Sequence, residues 1–186
     1  MGAAITNLNR IVAACLAVVT FSLPAVAQDT RLDALLSDLS QAEPAEARKI
    51  AAEVELEWSK SGSPAMDLLL RRGQDAIEAG ELTAAIEHLS ALIDHAPDFA
   101  QGWHLRSVAF FKQGRYGLAL SDIERALALE PRQFNVIYGL GVLLDETGHP
   151  DLAHDAFSRA LAIHPHHEDV TKAKERVARE LGGAEL

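Results

Sequence analysis

The chain has 186 residues, 48% of them hydrophobic and 5% aromatic, with a formal net charge of −10. An acid excess without a Lys/Arg cluster argues against a nucleic-acid surface, which needs concentrated cationic side chains. A single cysteine, Cys15, excludes an internal disulfide framework or a cysteine metal site.

Residues 1–27 read as a signal peptide. Arg10 and the amino terminus supply a short positive region, Ile11 to Leu23 is an uncharged apolar run, Pro24 breaks it, and Ala25-Val26-Ala27 gives a small-x-small cleavage site. An uncleaved anchor would need about 20 apolar residues, more than this run holds. Val12-Ala13-Ala14-Cys15 resembles a lipobox, but too little apolar sequence lies between Arg10 and Cys15. Cleavage near Ala27 would leave a periplasmic or secreted chain with no stable membrane anchor and no cysteine.

Residues 28–63 are expected to form a helical hairpin. Leu32, Leu35, Leu36 and Leu39 make one apolar stripe from Asp29 to Gln41. Pro44 suits the start of a second helix, whose stripe is Ala47, Ile50, Ala51, Val54 and Trp58. Ser63 is the expected N-cap of the following helix, with Pro64 at its first position. The hairpin reads as a cap over the apolar face of the first repeat, or as a degenerate repeat. The alternative is a docking or dimerisation element led by Trp58.

From Leu69 to Pro165 the chain repeats. Pro97, Pro131 and Pro165 share one spacing, as do Gly80, Gly114 and Gly148, and Ala85, Ala119 and Ala153. That spacing is 34 residues, one helix-turn-helix unit of a solenoid. It predicts helices over 64–79, 82–95, 98–112, 116–129, 132–147 and 150–163, with each glycine in a left-handed C-cap. A last helix over 167–181, with Val170, Ala173, Val177 and Leu181 inward, closes the C-terminal end, and Gly182-Gly183 ends it.

The three units resemble tetratricopeptide repeats. The second supplies Trp103, Phe110, Gly114, Tyr116, Ala119, Ile123, Ala126 and Pro131; the third supplies Leu140, Gly141, Leu144, Gly148, Ala153, Phe157, Ala160 and Pro165. The first is weaker, with Leu69, Gly73, Ala76, Gly80, Ala85, Leu89, Leu92 and Pro97. Arg72 and Arg106 stand where the pattern prefers Leu, and Ser107 replaces Gly. The resemblance implies an all-α, right-handed helical solenoid with units at 64–97, 98–131 and 132–165, and a C-terminal segment over 166–186. It also implies a concave groove, lined by the first helix of each unit, that reads a protein or peptide. Carried over to this chain, the groove residues are Gln74, His104, Val108, Phe111, Asn135, Tyr138 and Val142, flanked by Leu70, Ile77, Gln101, Lys112, Asp145 and Glu146. The alternative is that some of these pack against neighbouring repeats or the terminal helices. Family members that grip acidic chaperone C-termini use a Lys/Asn/Arg clamp. The matching positions here are Leu70, Gln74, Leu105, Asn135 and Gly139, so the cations are missing.

Motifs for catalysis are absent: no phosphate loop, no HExxH, no GxSxG, and Gly139-Leu140-Gly141 lies inside a helical pattern. The expectation is a non-catalytic exported scaffold without a cofactor, in an envelope or secretion-related assembly. One alternative is an accessory metal site at His164-Pro165-His166-His167, opposed by the reading of a polar, His-rich turn. Another is a self-associating structural protein, a homo-oligomer.

Overall fold

The computed structural model describes residues 23–183, with side chains from residue 30. The apolar run and basic start of the expected signal peptide, over 1–22, and the tail 184–186 lie outside the described residues. The described chain folds into helices α1 (Leu23–Gln41), α2 (Pro44–Trp58), α3 (Pro64–Glu78), α4 (Leu82–His95), α5 (Ala100–Lys112), α6 (Tyr116–Leu129), α7 (Phe134–Glu146), α8 (Pro150–Ile163) and α9 (Glu168–Gly183). No strand occurs among the described residues.

Helices α3 to α8 are three antiparallel pairs stacked in sequence order. Gly80, Gly114 and Gly148 have φ of 76°, 71° and 80°. The residue after each donates its N–H to a carbonyl five residues back, as in Glu81 to Ala76 at 2.8 Å and His149 to Leu144 at 2.9 Å. This is the Schellman closure that the spacing predicts. Ala85, Ala119 and Ala153 are fully buried, which lets the two helices of each unit approach closely. Phe110, Ile123, Val136 and Leu143 join the second unit to the third, while Leu70, Leu89 and Leu92 pack with Leu105 between the first and second.

Four local expectations change. Helix α1 begins at Leu23, not at Asp29, and runs through Pro24. Proline is tolerated in a first turn, where its missing N–H has no intrahelical partner. The expected cleavage site at Ala25–Ala27 therefore falls in the first turns of α1. Ser63 occupies the N-cap of α3, but its side chain caps nothing. Asp67 reaches back instead to the Ser61 amide at 2.9 Å and the Ser61 hydroxyl at 2.6 Å. These bonds hold the Asp67 carboxyl below the usual aspartate range, against the opposing pull of burial. Helices α5 and α7 start two residues later than the pattern suggests, because the turns after Pro97 and Pro131 continue to Phe99 and Gln133. Helix α9 runs over Glu168–Gly183 rather than 167–181, so Gly182 and Gly183 are helical.

The main correction concerns the hairpin. It does not cover the first repeat. Leu36, Leu39, Ala47, Ala51, Val54 and Trp58 instead enclose Phe134, the first residue of α7, with Ile163 at the edge. Helix α2 lies along the row of turns that join successive units. Its Trp58 end meets the turn at Phe99 and Gln133, and its Arg48 end meets Pro165 and His166. Arg132–Asp33 at 2.6 Å and Arg48–Glu168 at 3.8 Å fasten the hairpin to the second and third turns. The reason the first repeat needs no cap is visible in its sequence. Helix α5 turns Gly102, Leu105 and Ala109 toward the unit before it, and the corresponding residues of α3 are Leu68, Arg71 and Asp75. Arg71 and Asp75 are exposed, and Leu68 is 42% exposed. A solenoid end with a mostly polar outer face is stable in water.

Candidate functional site

Helices α5 and α7 leave a concave cavity of about 400 Å³. Six of the seven expected groove residues line it: His104, Val108 and Phe111 from α5, and Asn135, Tyr138 and Val142 from α7. The helical repeat explains the grouping, since residues three and four apart share one helix face. Gly139 also lines the cavity, and a Cβ there would meet nothing within 4 Å, so the missing side chain leaves open space. Gln74 does not join the site. It is exposed on α3, outside the cavity.

The flanking residues are mostly engaged elsewhere. Leu70 is buried in the core with Leu89 and Leu92. Ile77 packs between the first two units. Gln101 accepts a short hydrogen bond from Gln133 at the turns. Asp145 pairs with Arg176 of α9, and Glu146 accepts from the Tyr116 hydroxyl at 3.3 Å. The groove is therefore shorter than the sequence suggests, because α9 occupies Asp145 and α6 engages Glu146 at its far end.

Its floor is apolar and nearly uncharged. Burial pushes the His104 imidazole down to about 4, so it is neutral at pH 7. Burial also raises the Tyr138 phenol, with Asp169 adding to the rise and Arg176 opposing it. Lys112 is the cation among the lining residues, and it is exposed at the rim. Asn135 donates to Glu55 of the hairpin at 2.9 Å, and its carbonyl lies 3.4 Å from His167 Nε2. The rim of the groove is thus tied directly to α2. Of the positions where a carboxylate clamp would carry cations, Leu70 is core, Leu105 packs against it, and Gly139 has no side chain.

The His-rich turn does not assemble a metal site. Among the described residues, no three His, Cys, Asp or Glu side chains come together as a ligand group. His164 is buried edge-on against Phe134, whereas His166 is exposed. Sequence reasoning missed the roles of Phe134, Glu55 and His164 at the hairpin. The only signal was the shared period of the three turns, which places them in one row. Among the described residues, no helix is long and apolar enough to cross a membrane.

Two profiles described as tetratricopeptide repeat match residues 70–134 and 110–177. A TPR repeat-containing protein of Rhizobium etli is 36% identical over 154 residues, covering 82% of this chain and 76% of that protein. Mouse tetratricopeptide repeat protein 36 is 36% identical over 92 residues, which are 50% of this chain and 46% of that protein. Among solved structures, the first TPR domain of Spaghetti (RPAP3) bound to an HSP90 peptide superposes with a TM-score of 0.62 at 20% identity. That match covers 64% of this chain and 95% of the other, and at this identity it speaks to the fold alone.

Proposed function

The chain belongs to the tetratricopeptide repeat family, and on that premise we propose that it is a non-catalytic scaffold whose groove between α5 and α7 binds a protein or peptide segment. The observation that carries this is the open, apolar cavity lined by Val108, Phe111, Tyr138 and Val142 with His104 and Asn135 at its polar points. Aromatic anchors surrounded by a polar rim are what a peptide site needs. The structural relative with a bound HSP90 peptide supports the mode of use. The neutral floor favours an apolar segment over an acidic chain terminus, since no paired cations wait for a carboxylate.

We place this activity in the periplasm or outside the cell, within an envelope or secretion-related assembly. Support comes from Arg10, the uncharged run from Ile11 and Ala25-Val26-Ala27. Cleavage near Ala27 would trim α1 but leave its stripe from Leu32 intact. Sequencing the amino terminus of the protein recovered from a periplasmic fraction tests export, and an uncut cytosolic chain would overturn it.

Binding is tested by selecting peptides from a random library on the purified protein and measuring their affinity by fluorescence anisotropy. The comparison is a variant carrying Val108→Thr, Phe111→Gln and Val142→Thr. Tyr138 is left alone because its ring packs on Phe157 and His167. Loss of affinity of about tenfold or more, roughly 1.4 kcal/mol, with unchanged helical circular dichroism, is the expected result. Equal affinity would remove the groove as the site, and concentration-dependent self-association without peptide binding would favour a homo-oligomer.

A further inference from the structure

The seam between the hairpin and the turns contains a histidine with no charged partner to receive its proton. His164 caps α8 in the third turn and is 5% exposed. Its ring stands edge-on to Phe134, with centroids 5.2 Å apart. Phe134 is fully buried and lies 5.0 Å from the Trp58 ring of α2. One aromatic chain thus runs from the hairpin through the solenoid turn to His164. Among the described residues, His164 Nδ1 has no hydrogen-bond partner. The other turns carry Ala96 and Glu130 at this position, so the feature is confined to the third of the turns along which the hairpin lies.

We propose that His164 makes the seam acid-labile: protonation of its ring releases the α1–α2 hairpin from the row of turns while the three repeats stay folded.

Around His164, helix α2 brings Arg48 and Glu55, α9 brings Glu168 and Asp169, and the turn itself brings His166 and His167. Tyr138 of α7 stacks on His167 at 5.7 Å. Helix α1 presents Leu36 and Leu39 to the same cluster. The carboxylates serve His167, whose charged form Asp169 and Glu55 favour, partly offsetting burial. For His164 every influence points the other way. Burial comes first, then the neighbouring His167 and His166, and together they push it down to about 4.

The sign follows. A released His164 titrates near the ordinary value of 6.5, and the seated one near 4, so the seated seam binds fewer protons. Its stability is whole above about 6.5 and falls as the pH drops toward 4. Between pH 7.5 and pH 5 the docking equilibrium weakens roughly thirtyfold. Protonation places a cation beside Phe134 in a nearly closed site, with no hydrogen-bonded ion pair as compensation. Once the hairpin leaves, the Asn135 amide loses its acceptor, Glu55, at the rim of the groove.

The test uses Trp58 as the reporter. The chain has two tryptophans, so Trp103→Phe leaves Trp58 alone. Its emission and the helical circular dichroism are followed from pH 7.5 to pH 4. The expected result is a reversible red shift of Trp58 with a midpoint between 6.5 and 4, ahead of any loss of helix. His164→Phe, which fills the site and cannot be charged, is expected to abolish the shift over that range. His164→Gln serves the same purpose should the larger ring not be accommodated. His104, the other histidine held near 4, lies in the groove and reads out in the repeats rather than at Trp58. A shift that coincides with global loss of helix would overturn the proposal. So would a parent-like midpoint in both His164 variants, or no shift at all.

Discussion

Gly141 and Ser107 hold the same position in two units, and the difference between them follows from the residue opposite. A Cβ at Gly141 would collide with the Phe157 ring, and one at Gly73 would collide with Leu89. In the second unit the opposing residue is Ile123, smaller than Phe157 and branched at Cβ where Leu89 branches at Cγ, and Ser107 fits, 3% exposed, donating its hydroxyl to the His104 carbonyl at 2.6 Å. Ser107 therefore departs from the repeat pattern without straining it. Gly141→Ala should destabilise the chain by about 1–3 kcal/mol through overpacking. Gly139→Ala, two residues away, should stabilise it by about 0.5–1 kcal/mol, because its Cβ points into open space in mid-helix. Urea unfolding of the two variants measures both signs. Arg106 is explained in the same way. Its guanidinium grips Asp122 at 2.8 and 2.9 Å and reaches Ser90 of the preceding unit at 3.0 Å, while stacking 5.0 Å from Trp103. Asp122 is 4% exposed. Asp122→Ala leaves that cation nearly buried and unpaired, at an expected cost of about 3 kcal/mol. Asp98→Ala removes a solvent-facing pair with Arg125 and should cost well under 1 kcal/mol in the same measurement.

At the scale of elements, the repeat was readable because each signal has a local cause. A glycine closes a Schellman turn, an alanine permits close helix packing, and a proline follows the last turn of a helix. These marks placed α3, α4, α6 and α8 at their expected starts. The placement of the hairpin was not readable, because its leucine stripe says that it must bury one face but not against what. The deciding information sat elsewhere, in Arg71 and Asp75, which make the outer face of α3 polar, and in Phe134, which makes the second turn apolar. Exchanging Arg71→Leu and Asp75→Ala gives the first unit the inward face of the second. An uncovered apolar end of that kind should drive association, seen as a concentration-dependent rise in mass by light scattering. A strictly monomeric variant would mean that the polar end face is not what keeps this end solvated.

For the molecule as a whole, the hairpin and α9 narrow the groove that the repeats alone would offer. Helix α9 takes up Asp145 through Arg176, and Glu55 of α2 holds Asn135 at the opposite rim. What remains open is the neutral surface between α5 and α7. The sequence named most of that surface but also included Gln74 and Leu70, because a short solenoid with one polar end and two terminal helices exposes less of its inner face than its period implies. Backbone amide chemical shifts of the isotopically labelled protein, recorded while a library-selected peptide is added, locate the contact surface residue by residue. Perturbations concentrated on Val108, Phe111, Tyr138 and Val142, and lost together with binding in the threonine and glutamine variant, are the expected outcome. Perturbations confined to the outer helices α4, α6 and α8, or to α2 around Leu56, with the groove unchanged, would contradict a concave binding site.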